Sequence, residues 1–226
     1  MKVVLFGATG MVGSGVLREC LHDGRVTELV TVGRSRIRVL DPKLRDVVHA
    51  DLADLSPVEG ELAGADACFF CLGVSVVGRT EEEYTRVTYD MTMAVADTVA
   101  RVAPGAVFVY VSGAGTDSTE KGRAMWARVK GRTENALLAH ADLDAYMFRP
   151  GFIQPMHGVT SRTRWYRVAY AVTAPITPVV RRVAPTAMTT TEEVGLAMLT
   201  VASAGWPDRV LATRDIVAAA AAARPA

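Results

Sequence analysis

Residues 2–15 read "KVVLFGATGMVGSG", and this stretch decides the fold. The apolar run Val3–Phe6 stops at Gly7, which reads as a short strand buried on both faces. Beyond it, "MVGSGVLRECLHDG" (11–24) places apolar residues at helical spacing and ends at Gly24. Gly7, Gly10 and Gly13 occupy the turn between strand and helix. The first glycine makes the tight turn, the second lets the backbone approach a pyrophosphate, and the third lets the helix pack close to the strand. Thr9, Met11 and Val12 fill out the same turn and the first helical positions. Phosphates would sit on the helix N-terminus, where free N–H groups and the dipole favour negative charge. A glycine trio alone is a weak signal; between a strand and a helix it is a strong one.

The rest of the chain repeats this alternation. Strands are expected at "VTELVTVG" (26–33), "LRDVVHA" (44–50), "DACFFCLG" (66–73), "AVFVYVS" (106–112) and "LDAYMFRPG" (143–151). Helices are expected at 81–105, closed by Pro-Gly, and at 122–140. Strands alternating with helices predict a parallel, doubly wound sheet: a Rossmann-like α/β fold forming one domain over 1–226. After Arg149-Pro150-Gly151 the texture changes. Residues 152–188 carry Pro155, Pro175, Pro178 and Pro185, many arginines, and Trp165, Tyr166 and Tyr170. This part reads as a small covering segment over the carboxyl edge of the sheet. "TTTEEVGLAMLTVASAG" (189–205) has a Thr start followed by acids, a capped helix. The Ala-rich tail 215–226 reads as a helix that frays at Pro225.

Bulk properties narrow the function classes. The chain has 226 residues, 50% of them hydrophobic, with 25 basic and 24 acidic side chains. Balanced charge gives no reason to expect nucleic acid or an acidic membrane surface as partner. Cys20, Cys68 and Cys71 are too few and odd in number for a disulfide framework, which fits a reducing compartment. "CFFC" has CxxC spacing, but residues three apart on a strand face opposite sides, so the thiols would not converge. The four histidines show no ligand spacing, and no metal site is expected. "MKVVLFGATG" enters a glycine turn too soon for a signal peptide, and 168–180 is too short to span a bilayer. A cytoplasmic protein, monomer or homodimer, is the expectation.

The second strand ends in Gly33-Arg34-Ser35-Arg36. A dinucleotide site that prefers NAD usually has an acid there, on the ribose 2′-OH. A guanidinium instead matches a 2′-phosphate in charge and geometry, so Arg34 and Ser35 predict NADP(H) over NAD(H). Asp51 and Leu52 fall where the adenine ring should lie, and Leu72 and Gly73 near the ribose.

These residues resemble the short-chain dehydrogenase/reductase superfamily. The GATGxxG turn, the strand-ending Arg34 and "RPG" (149–151) place the likeness in its atypical or extended branch. "FFCLG", "VSGAG", "VKGRTENAL" and "FRPGFI" are similar to the Tat-interacting-protein-like, NAD(P)-binding epimerase/dehydratase group, over roughly residues 1–205. The resemblance implies that Lys130 holds the nicotinamide ribose, with Pro150, Gly151 and Ile153 beside the same end of the cofactor. The family's catalytic Tyr falls on Trp126, and its Ser pair on Ser112-Gly113, so Ser112 is a candidate catalytic residue only if the hydroxyl belongs to the first position. The family's helix Asn falls near Thr88.

Trp at the Tyr position matters because an indole N–H hydrogen-bonds but is not a useful acid at neutral pH. Losing a positioned general acid typically costs about 10²–10⁴ in rate. Tyr84, Tyr89 and Tyr166 are alternative donors, each of which packing explains as well. Two readings follow. One is an NADP(H)-dependent oxidoreductase or epimerase on a small carbonyl or hydroxyl substrate, with a nonstandard proton donor. The other is a non-catalytic NADP(H)-binding redox sensor or assembly factor. A third idea, peripheral membrane contact, rests on "RWYRVAYAVTAPITPVVRR" (164–182), which a subunit contact or a substrate lid over 156–184 explains equally well.

Overall fold

The computed structural model describes residues 1–157 and 188–223. The apolar runs form β1 (Lys2–Phe6), β2 (Glu28–Gly33), β3 (Leu44–Val48), β4 (Ala67–Phe70), β5 (Val107–Val111) and β6 (Asp144–Arg149). Two short strands, β7 (Phe152–Gln154) and β8 (Met188–Thr190), pair in parallel with each other. A last strand, β9 (Val210–Ala212), joins the main sheet beside β6. All seven strands of that sheet are parallel, in the order β3-β2-β1-β4-β5-β6-β9. The fold is the expected Rossmann-like α/β arrangement, with two additions. Three residues at β9 are too few to show a strand period, and β7–β8 was expected to be irregular.

Helices cover both faces. On one lie α1 (Met11–His22), α6 (Thr191–Ala204) and α7 (Thr213–Ala222). On the other lie α2 (Glu59–Leu62), α4 (Met91–Val102) and α5 (Met125–Leu138). Helix α3 (Glu81–Thr85) runs through a π turn, Arg86–Asp90, straight into α4. The central strands are apolar throughout because both faces are covered. Val3 and Leu5 enter one core and Val4 and Phe6 the other, all fully buried. The same alternation separates the CxxC thiols. Cys68 belongs to the α4 side, Cys71 packs toward the α1 side, and all three cysteines are free.

Capping boxes fix where two helices begin: Thr80 with Glu83 for α3, and Thr190 with Glu193 for α6. The β7–β8 pairing brings the two ends of the 152–188 segment together, and the Met156 amide donates to Thr191 Oγ1 at 3.1 Å. Residues 158–187 of the expected covering segment, with most of the lid range 156–184 and all of 164–182, lie outside the described residues. Among the described residues no helix is long and apolar enough to cross a membrane, and no cluster of His, Cys, Asp or Glu could hold a metal.

Candidate active site

The strand order reverses between β1 and β4, and ligands of doubly wound sheets bind outside the carboxyl ends of the strands at such a point. Two cavities open there and share Leu72. The first, about 340 Å³, is lined by Gly7, Ala8 and Thr9 of the glycine turn and by Thr31, Val32 and Gly33 of β2. Arg34, Ser35, Ile37, Asp46 and Leu52 complete it. The second, about 500 Å³, takes Gly10, Met11 and Val12 from the start of α1. Its other walls are Cys71 and Gly73 after β4, Val111 to Ala114 at the end of β5, Lys130 of α5, and Pro150, Gly151 and Ile153. Across the two cavities the lining runs from Arg34 in the first to Lys130 in the second, with the glycine turn contributing to both.

The glycine turn is closely packed. Gly7 has φ +85°, and the Gly10 amide donates to its carbonyl at 2.8 Å. A Cβ on Gly13 would lie 2.1 Å from Gly7 O and 2.6 Å from Gly7 C, so only glycine permits this approach of α1 to the turn. Helix α1 starts after Gly10 with no side-chain cap and no acid in its first turn, the setting in which a helix N-terminus can receive an anion. Gly13 itself lies beneath the turn rather than in the cavity wall.

At the end of the first cavity formed after β2, Arg34, Ser35 and Arg36 are exposed. Among the described residues, no ion-pair partner stands against Arg34, Arg36 or Arg38. The sequence reading missed a carboxylate on the same cavity. Asp46, from the edge strand β3, accepts from Thr31 Oγ1 at 2.9 Å and from the Ile37 amide at 2.9 Å. It anchors the loop that carries the arginines. It escaped notice because it lies in another strand than the one whose end marks cofactor preference. Leu52 lines the cavity, but Asp51 is exposed and instead accepts from the Ala53 amide at 3.0 Å.

At the other end, Lys130 is half-buried and donates to the Ser112 carbonyl. Loss of hydration lowers its pKa to about 8, against an opposing pull from Glu134. The Ser112 hydroxyl lines the cavity and donates to the Phe148 carbonyl at 3.1 Å, so its proton is committed to the sheet. Trp126 is half-buried with its ring over Gly115, whose φ of +86° and missing side chain make room for it. It is not among the residues that line the second cavity. Being in the first turn of α5, it sits one turn further out than Lys130.

Behind Lys130 lies a polar layer that the sequence reading did not assemble. Glu134 is fully buried and receives Arg149 Nε at 3.0 and 3.1 Å as well as Nη2, which also bonds Ser118. Tyr110 is buried beside it, and Tyr84 beside Tyr110. Desolvation raises both phenol pKa values, against hydrogen bonds to Thr88 and Thr133 respectively. Of the other tyrosines considered, Tyr89 turns outward under Arg132, whose guanidinium stands 4.2 Å from its ring, and Tyr166 lies outside the described residues. The i, i+4 spacing of Lys130 and Glu134 is the one sequence signal that could have pointed to this layer.

A parallel doubly wound sheet with a glycine turn at its switch point defines a dinucleotide-binding protein. A family model described as NAD(P)H-binding matches residues 7–169, and the chain belongs to that family. Solved structures share the fold at low identity. A UDP-glucose 4-epimerase aligns with a TM-score of 0.68 at 14% identity, over 96% of this chain and 80% of its own. A short-chain dehydrogenase/reductase from Saccharomyces cerevisiae aligns at 0.67 and 13%, over 99% of both chains. The uronate dehydrogenase from Agrobacterium tumefaciens aligns at 0.64 and 17%, over 93% and 75%. The fold is thus that of the short-chain dehydrogenase/reductase and epimerase proteins.

Proposed function

We propose that this protein is an NADP(H)-dependent oxidoreductase acting on a small carbonyl or hydroxyl substrate. The carrying observation is Lys130, a lysine with lowered pKa that reaches the wall of the 500 Å³ cavity at the end away from the arginines. The bound dinucleotide would supply hydride chemistry at its nicotinamide; the chain holds and orients it. Gly7, Thr9, Gly10, Met11 and Val12 would take the pyrophosphate, with Gly13 keeping α1 close. Arg34 and Ser35 would take an adenosine 2′-phosphate, and Leu52, Leu72 and Gly73 the adenosine and its ribose. Asp46 carries a charge that opposes an anion there, but neutral donors hold both its oxygens and the loop cations outnumber it. Lys130, Pro150, Gly151 and Ile153 would flank the nicotinamide end, under a cover formed by 152–188 in a single domain.

A non-catalytic NADP(H)-binding role is favoured by one observation: the described cavity wall contains no tyrosine. Calorimetric titration with NADPH, followed by NADPH oxidation against a panel of aldehydes, ketones and dicarbonyls, separates the two. Binding with turnover supports the oxidoreductase; tight binding without turnover of any carbonyl supports the binder.

A further inference from the structure

Lys130 lines two cavities: the one of about 500 Å³ and a second of about 10 Å³. Tyr84 of α3, Thr88 of the π turn, Thr92 of α4 and Tyr110 of β5 wall the small one. That volume is about one water, and the surrounding hydroxyls are sufficient partners for it. Leu72 and Gly73 also touch both cavities, so among the described residues Lys130 is the only one with a polar side chain common to them. An ammonium has three N–H donors, and the Ser112 carbonyl takes one.

Among the described residues no carboxylate forms an ion pair with this ammonium. Glu134, one turn on, is occupied by Arg149. The other titratable groups sharing its cavities are Tyr84, Tyr110 and Cys71, and desolvation raises the pKa of each, keeping them neutral. Desolvation therefore outweighs attraction and holds the amine's pKa down at about 8.

We propose that Lys130 is itself the general acid of this protein, taking over the role of the phenol that Trp126 replaces, and is recharged through the small cavity. This rests on the oxidoreductase reading above. In the reductive direction the substrate carbonyl carbon gains the hydride supplied by reduced nicotinamide dinucleotide. An Nζ–H bond of Lys130 breaks and its proton passes to the carbonyl oxygen, giving an alcohol and a neutral amine. The amine regains a proton from solvent by way of the water in the small cavity, whose rim includes the exposed Gly73 and Val74. A general acid works best with a pKa near the operating pH, and Lys130 meets that condition.

The test has a readout independent of turnover. Protein labelled with ¹³C at lysine Cε is saturated with NADP⁺ and titrated by NMR, the Lys130 signal being the one absent from Lys130→Arg. A midpoint near 8 supports the assignment; a midpoint above 10 overturns it. Reduction of 4-nitrobenzaldehyde by NADPH is then followed against pH. In the wild type kcat should fall tenfold per pH unit above the same midpoint. Lys130→Arg keeps the cation but not a releasable proton. It should lose kcat at saturating NADPH by at least about a hundredfold, any change in NADPH affinity being measured separately by titration. An arginine variant that keeps kcat within about threefold overturns the acid assignment and leaves the oxidoreductase reading intact. A wild type that binds NADPH but does not reduce the aldehyde overturns both. The wild-type titration and pH profile decide the matter even if the arginine variant does not fold, its lysine signal then being assigned through Lys130→Met.

Discussion

Replacing Glu134 with Gln removes one charge from an ion pair closed to solvent on the carboxylate side. Glu134 is fully buried, whereas the Arg149 side chain keeps 22% exposure. Breaking a buried pair by deleting one partner costs about 3–5 kcal/mol, because the other charge is left uncompensated. Gln has the same shape and keeps one acceptor for the guanidinium, and the exposed part of Arg149 can be hydrated. The expected cost is therefore at the low end, about 3 kcal/mol. For a chain of this size that lowers Tm by roughly 6–12 °C. Urea unfolding followed by near- and far-ultraviolet circular dichroism measures it, with an unchanged m-value showing that only stability moved. The double variant Glu134→Gln/Arg149→Met should cost less than the sum of the single variants by about 1–3 kcal/mol. Glu134→Gln within about 0.5 kcal/mol of wild type at unchanged m would refute the reasoning, since no uncompensated buried charge costs so little. The Lys130 pKa should also fall in this variant, because Glu134 is what raises it against desolvation.

Gly13→Ala puts a methyl 2.1 Å from a backbone oxygen, so the glycine turn must shift. NADPH affinity should drop by at least about tenfold in a fluorescence titration, for want of the close approach that only glycine allows. An affinity within twofold of wild type would contradict this. Trp126→Phe keeps an aromatic ring over Gly115 and removes no proton donor, so any native turnover should stay within about tenfold. A loss of several orders of magnitude at unchanged cofactor affinity would implicate the indole N–H. Burial raises the pKa of Cys20, Cys68 and Cys71, so above pH 9 the unfolded chain loses thiol protons that the folded chain keeps, and stability falls as pH rises. Lys130, lowered to about 8, works in the opposite sense between about 8 and 10.5. The thiols outnumber the amine, and the raised Tyr84 and Tyr110 phenols add to them near pH 10, so stability should fall on balance above pH 9, which urea midpoints at pH 9 and 10 would show. A rise over that interval would contradict it.

What the sequence revealed follows the range of its signals. The strand–turn–helix at 2–22 was legible because its glycines, apolar run and helical period are contiguous. The parallel sheet followed from the same local patterns repeated. Strand β9 was not legible, because three residues carry no period and its parallel partner β6 is distant in sequence. The π turn within Glu81–Val102 left no mark either: one extra residue in a helical turn does not disturb an apolar pattern already mixed with Thr and Tyr. The site divides likewise. Residues of the glycine turn and strand ends were nameable from order along the chain. Asp46, the Glu134–Arg149 pair and the placement of Trp126 over Gly115 depend on neighbours brought together only by folding. Asp51 shows the reverse, a residue at the expected sequence position whose side chain is spent on a local turn.

The central claim, that this is an NADP(H) protein whose adenosine end is read by Arg34, is tested most directly by calorimetric titration of the wild type and Arg34→Ala with NADPH and NADH. The account predicts that wild type binds NADPH at least about tenfold more tightly than NADH, since a charge-assisted guanidinium–phosphate contact is worth about 1.5–3 kcal/mol. Arg34→Ala should lose most of that difference by weakening NADPH alone. Equal affinities for the two cofactors in the wild type, or an Arg34→Ala variant that weakens both alike, would contradict it.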